Sequence, residues 1–123
     1  MLPSPVSDLN AFVPAKEFEL SQRFYADLGF TRLWGNPEAA QFEAGGFRFL
    51  LQNFYLQAWA ENFMMSLAVE DADVWWRHIQ ESDLQRKYGL GMAKAPAVQP
   101  WGLRVLYLSD PSGVLWHIND RRV

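Results

Sequence analysis

The chain contains no cysteine among its 123 residues, which excludes disulfide bonds, zinc–thiolate sites and thiol nucleophiles. It lacks any run of about 18 apolar residues, so it offers no membrane-spanning segment. Its first residues, MLPSPVSDLN, lack the basic and apolar parts of a signal peptide. The net charge of -3 and the pI near 5.3 do not supply the basic surface that nucleic acid requires. These absences predict a cytoplasmic protein that binds neither nucleic acid nor a membrane.

Aromatic residues, by contrast, are abundant: they make up 15% of the chain and include six Trp and nine Phe. A single domain of this length can build a large core, but it cannot bury every ring. We therefore expect some rings to line a pocket or a subunit interface. This surplus of apolar surface predicts a homodimer, the commonest closed assembly.

The sequence repeats one layout twice. In the first copy LNAFVPA suits a strand, KEFELSQRFYADLGF a helix, and FTRLW, AAQFEA and FRFLLQNF three strands. In the second copy NFMMSLAV suits a strand and EDADVWWRHIQESDL a helix; a looser stretch with Pro and Gly then leads to the strands LRVLYLS and VLWHI. A shift of 54 positions overlays Asn10 on Met64 and Glu17 on Asp71. We predict one domain, 1–123, made of two modules at about 8–57 and 62–121.

The segment SDPSG predicts a tight turn. Asp110 in the first position, Pro111 in the second and Gly113 in the fourth match the preferences of a type I turn. The turn joins LRVLYLS and VLWHI into an antiparallel hairpin. The turn assignment by itself carries no functional content.

The doubled unit, with its phrases SQRFYADLGF and DPSG, resembles the vicinal oxygen chelate superfamily. That superfamily includes glyoxalases, bleomycin-resistance proteins and extradiol dioxygenases, and the matching pieces cover most of residues 9–118. The resemblance implies an α+β fold in which two tandem βαβββ modules curl their antiparallel-mixed sheets around a cleft. Metal-dependent members place their ligands on the first and last strand of each module.

The positions that the resemblance assigns to metal ligands carry unsuitable residues. The first-strand positions fall on Asn10 and Met64, and the last-strand position of the second module falls on His117. The last-strand position of the first module falls on Leu50 or Gln52, and both alternatives stay open. One imidazole with amides and a thioether does not form the ligand set of zinc, iron or a hard cation. We predict a protein without a metal or other cofactor.

Three roles stay open for His117. Strand alternation places Trp116, whose apolar ring suits the core, on one face and His117 on the other. The resemblance places the cleft on the face of His117. A neutral imidazole satisfied by a neighbour, a ligand contact and a general base all fit this position. Arg48 and Gln52 share the corresponding face of the first module, where Arg48 is either the partner of an anionic ligand group or a solvated charge at the rim.

The remaining candidates rest on the resemblance and on aromatic character. Tyr107 is expected to face the cleft, and Trp101 is expected to stack on a ligand at the cleft mouth, unless its ring serves to bury its own loop. The predicted ligand-binding set is His117, Tyr107, Trp101, Arg48, Gln52, Phe12, Asn10 and Met64. No catalytic residue is predicted other than His117.

Functions of different classes fit these observations. The favoured one is a metal-free, dimeric small-molecule binding protein similar to bleomycin-resistance proteins, holding an aromatic or amphipathic ligand; antibiotic resistance by sequestration is one such role. The alternative is a glyoxalase-type lyase, isomerase or dioxygenase, using His117 as acid and base or a metal recruited by His117, Gln52 and Asn10. A third is a degenerate member of this family that has lost the ligand site and only dimerises or binds another protein. The fold by itself does not choose among them.

Overall fold

The computed structural model describes residues 1–121 and shows two modules that share the order strand, helix and three strands, with one additional short helix in the second. The first module consists of β1 (Phe12–Pro14), α1 (Phe18–Leu28), β2 (Thr31–Gly35), β3 (Ala39–Ala44) and β4 (Phe47–Gln52). A short helix, α2 (Gln57–Ala60), leads to the second module. That module consists of β5 (Met64–Ala68), α3 (Ala72–Glu81), α4 (Leu84–Tyr88), β6 (Ala93–Val98), β7 (Arg104–Ser109) and β8 (Leu115–Asp120). Within the described residues, no helix has the length and apolar character needed to cross a membrane.

Each module forms one four-stranded sheet, and the two sheets have equivalent strand orders. The first sheet has the order β1-β4-β3-β2 and the second has the order β5-β8-β7-β6. In both, the first and last strands of the module pair in parallel and the other pairs are antiparallel. The predicted α+β class with two βαβββ modules is confirmed. The sheets are open and do not close into barrels.

The internal repeat in the sequence corresponds to the repeat in the structure. Helix α1 begins at Phe18 and helix α3 at Ala72, which are the same 54 positions apart as the overlaid residues. Helix α1 ends at Gly29 with a φ of 125°, a conformation that glycine adopts without steric cost. Helix α3 begins after Asp71, whose side chain accepts hydrogen bonds from two backbone N–H groups of the first turn.

Three elements lie outside the patterns found in the sequence: the short helices α2 and α4, and strand β6. Helices of four and five residues are too short to show a helical period. Strand β6 lies in the stretch treated as loose because it contains Pro96, together with a register shift between Lys94 and Ala97. Proline is tolerated there because β6 is at the edge of its sheet.

Both modules share one hydrophobic core. Alternation along the strands directs one set of side chains from each sheet into it, and helices α1 and α3 cover that set. The large strand side chains buried there include Val13, Phe42, Phe49 and Leu51 from the first sheet, and Leu106, Leu108, Trp116 and Ile118 from the second. The rings of Phe49 and Trp116 lie 5.5 Å apart between centroids, which joins the two sheets directly. The opposite face of each sheet points away from this core, and we call it the open face, although Val105 and Asn119 on that face of the second sheet are buried.

The predicted type I turn is present, and it does more than connect two strands. The Gly113 N–H donates to the Asp110 carbonyl at 3.1 Å, as in such a turn. The Asp110 side chain is buried and accepts hydrogen bonds from the Tyr25 hydroxyl at 2.6 Å and from the N–H groups of Ser112 and Val114 at 2.8 and 2.9 Å. Because Tyr25 lies on α1, the turn binds the second module to the first.

Candidate functional site

The open face of the second sheet carries a row of four polar side chains, one from each strand. The backbone register pairs Ser66 of β5 with His117 of β8, His117 with Tyr107 of β7, and Tyr107 with Lys94 of β6. Directly paired residues on neighbouring strands share a face and stand about 4.5–5.5 Å apart. We call Ser66, His117, Tyr107 and Lys94 the polar row.

His117 lies on this open face, as strand alternation predicts. The imidazole meets the Tyr107 ring edge to face, with 4.8 Å between ring centroids. Its Nε2 atom is buried and has no hydrogen-bond partner among residues 1–121. Nearly all buried polar atoms in proteins have a hydrogen-bond partner. The Nε2 atom of His117 is therefore the position on this face whose hydrogen bond is left unsatisfied. The imidazole satisfied by a neighbour, one of the three roles considered, does not match this environment at Nε2.

The polar row is bordered by an amide on one side and apolar groups on the other. The Asn119 amide donates to Ser66 Oγ at 3.1 Å. On the other side Met64 pairs with Leu115, and Met64 is 62% exposed. At the open-face positions of strands β5 to β8 there is no aspartate or glutamate.

The open face of the first sheet carries Arg48, and that side chain is paired within the chain. Its Nε donates to Glu43 at 2.9 Å and its Nη1 to Asp8 at 3.1 Å. The ion pairs are partly exposed, with 32% of the Arg48 side chain accessible, so each stabilises only modestly. The two carboxylates outnumber the one guanidinium. The anionic partner predicted for Arg48 is therefore supplied here by the protein itself.

A hydrogen-bonded chain of side chains continues across the same face. The Gln41 amide donates to Asn10 at 3.2 Å, and the Gln41 oxygen accepts from the Trp34 indole at 3.1 Å. Phe12 is 51% exposed beside Leu50, its partner in the register. This network holds the segment before β1 against the first sheet.

The predicted ligand-binding residues thus fall into two groups. His117, Tyr107 and Met64 belong to the second sheet, and Trp101, 59% exposed, lies in the loop between β6 and β7. Arg48, Gln52, Phe12 and Asn10 belong to the first sheet and the segment before it. Within the described part of the chain, no hydrogen bond or ring contact joins the groups. His117, Gln52 and Asn10, considered together as metal ligands, are divided between them.

The register identifies the residue of the first module that corresponds to His117. His117 pairs with Ser66, and the 54-residue overlay places Ser66 on Phe12, which pairs with Leu50. Leu50 is therefore the counterpart, rather than Gln52. The sequence left both open because the two glycines before β4 allow more than one placement of the gap.

Sequence reasoning missed two members of the polar row, Ser66 and Lys94. Continuing the alternation by two residues from Met64 would have identified Ser66. Lys94 had no comparable signal, because β6 shows no strand pattern and its register with β7 is a property of the folded sheet.

The polar row does not have the composition of a metal site. Zinc and iron sites combine histidine with carboxylate or thiolate, and hard cations need several oxygen ligands, some of them charged. The row supplies one imidazole, a phenol, a hydroxyl and an ammonium group. Across residues 1–121, no group of three His, Asp or Glu side chains is placed to hold an ion.

No protein-family model matches the sequence, and no curated protein matches it. Solved structures do match. A bleomycin-binding protein from Streptomyces verticillus, complexed with copper(II)-bleomycin, is 23% identical with a TM-score of 0.77, covering 94% of this chain and 98% of its own. An antibiotic-binding protein from Streptomyces sp. CB03234 is 22% identical with a TM-score of 0.73, covering 95% and 97%. A lactoylglutathione lyase from Agrobacterium tumefaciens is 15% identical with a TM-score of 0.68, covering 95% of both chains.

These similarities establish the fold. The chain has the glyoxalase/bleomycin-resistance fold, as its sequence predicts. Proteins with this fold include both antibiotic-binding proteins and a lyase, so the function has to be argued from the site.

Proposed function

We propose that this chain, with its glyoxalase/bleomycin-resistance fold, is a small-molecule binding protein. Its ligand is an aromatic or amphipathic molecule that binds on the open face of the second sheet. His117 makes the central polar contact, and no metal takes part. The names of similar structures, which describe bleomycin-binding and antibiotic-binding proteins, support this class of function.

The observation that carries the proposal is the unpartnered Nε2 of His117 on an open sheet face. Small-molecule sites combine an apolar surface with a few polar groups that fix orientation. Met64, Leu115 and the Tyr107 ring provide the apolar surface around this nitrogen. Because the atom is buried, a small movement of the imidazole or of a neighbouring side chain accompanies binding.

Binding accounts for these residues better than catalysis does. A histidine that acts as general base is usually oriented by a third group, most often a carboxylate. The open face of the second sheet provides none. Acid–base chemistry by His117 is the alternative, and turnover of a ligand found by screening would support it.

His117→Ala is expected to weaken ligand binding by about 1–3 kcal/mol, because a polar group of the ligand loses its partner. A thermal-shift screen identifies the ligand, since a ligand specific for the folded state raises the melting temperature, and calorimetry then measures its affinity. The other histidine of the chain, the exposed His78, supplies the matched control His78→Ala, which should bind normally. Unchanged affinity in His117→Ala, or a stoichiometric metal lost with the imidazole, contradicts the proposal.

We also propose that the protein is a homodimer. Large apolar side chains are exposed on both open faces, among them Phe12, Trp34 and Met64 at 51%, 45% and 62%. A second copy can cover part of these apolar surfaces. Light scattering at micromolar concentration should give twice the chain mass of 14.2 kDa. A mass equal to that of one chain refutes this.

A further inference from the structure

The two open faces differ in the sign of their charge. Over the first sheet, Glu43 and Asp8 of the preceding segment outnumber Arg48. On the second sheet Lys94 is the one charged residue among the described open-face positions. We infer that the polar row is a recognition site for an anionic oxygen group, a carboxylate or phenolate carried on an aromatic ligand. The inference rests on the proposed function and specifies the ligand class of the same site.

The members of the row present their donors on one face. The ammonium group of Lys94 and the hydroxyl of Tyr107 make no ion pair or hydrogen bond within residues 1–121, and His117 Nε2 is likewise unpartnered. Ser66 Oγ accepts from Asn119, which leaves the hydroxyl proton free to donate. An oxyanion accepts hydrogen bonds at several sites, so it can use neighbouring donors together.

The absence of carboxylates from this described face determines the sign of the preferred charge. Hydrogen bonds to an ionised acceptor are roughly twice as strong as those between neutral groups. A cationic ligand would meet Lys94 with no acidic residue at the described open-face positions to offset the repulsion. Arg48, the residue first considered for an anion, already has two carboxylate partners on the first sheet. The anion site therefore lies at Lys94 rather than at Arg48.

The surroundings of the row favour an aromatic carrier for the anionic group. Met64 and Leu115 pair on the neighbouring strands one step along the same face, and Met64 is largely exposed. Thioether and aliphatic side chains pack well against a ring. The Tyr107 ring adds an aromatic edge beside His117.

Benzoate, benzamide and benzylammonium test the inference, because they share one ring and differ in charge. Each is titrated at neutral pH into isotope-labelled wild-type protein, and NMR follows the His117 imidazole and the backbone amides of Ser66 and Tyr107. Benzoate is expected to shift these resonances and to bind at least about fivefold more tightly than benzamide or benzylammonium. Equal or tighter binding of either other probe, or no response of these resonances to benzoate, overturns the inference.

Charge-removing variants distinguish the site from a general effect of net charge. Lys94→Gln should weaken benzoate binding about fivefold and leave benzamide unchanged. Arg86→Gln removes the same charge from α4, where the side chain is 87% exposed, and should change neither. If Lys94→Gln has no effect while a neutral ligand still binds through His117, the anion inference fails and the proposed function stands. If the ligands found by screening bind equally well to His117→Ala, the proposed function itself fails.

Discussion

Trp116→Ala is expected to lower the free energy of unfolding by about 3–5 kcal/mol. The indole is 2% exposed and lies 5.7, 5.5 and 5.5 Å between ring centroids from Tyr25, Phe30 and Phe49. Its removal opens a cavity where the two modules meet. The Tyr25 hydroxyl also loses the hydrogen bond that it accepts from the indole Nε1 at 2.9 Å.

Chemical denaturation of wild type and variant measures this loss. Trp101→Ala removes the same side chain from an exposed loop, 59% accessible, and should change stability by less than about 1 kcal/mol. Trp116→Phe keeps part of the packing and should lie between wild type and Trp116→Ala. Similar losses in Trp101→Ala and Trp116→Ala would show that the shared core does not depend on Trp116.

Asp110→Ala is expected to cost about 3 kcal/mol of unfolding free energy. The carboxylate is the common acceptor of the Tyr25 hydroxyl and of the Ser112 and Val114 N–H groups, all within the interior. Without it, these buried donors are left unsatisfied, and each such group costs about 1–3 kcal/mol, offset in part by relief of the buried charge. Asp110→Asn keeps an acceptor oxygen and should lose less. Equal effects of the two substitutions would indicate that the acceptor oxygens are not what stabilises the turn.

The same carboxyl makes stability depend on pH. Burial raises the pKa of Asp110 from 3.8 to about 6, against the opposing effect of the Tyr25 and backbone donors. A raised pKa means that the folded state holds the proton more tightly than the unfolded state. The contribution of this group is therefore complete below about pH 4 and is lost as the pH rises through about 6, a loss of up to roughly 3 kcal/mol.

Unfolding experiments on wild type and Asp110→Asn across this range isolate the effect. Because asparagine does not titrate, the stability of wild type relative to Asp110→Asn should fall between about pH 4 and pH 7 and then level off. A constant difference would show that the three donors offset burial and leave the pKa of Asp110 the same in the folded and unfolded states.

The candidate site was predictable in part. Alternation along β8 places His117 opposite the buried Trp116, and alternation along β4 places Arg48 and Gln52 opposite the buried Phe49 and Leu51. These assignments need only the local period of a strand. What each side chain meets across the sheet depends on register, and local periodicity carries no information about register. For this reason Lys94 did not emerge from the sequence, whereas continuing the alternation along β5 from Met64 would have identified Ser66.

The sequence by itself determined the two long helices, most of the strands and their repetition, because helical and strand periods are properties of short segments. The doubling at 54 residues, the end of α1 at Gly29 and the type I turn at Asp110 are all of this kind. Tertiary structure alone decided the contacts between distant segments. Asp8 reaches Arg48 across 40 positions and Tyr25 reaches Asp110 across 85. Such contacts depend on how the two sheets pack on their common core, and that packing sets the charge of each open face and divides the predicted site between them.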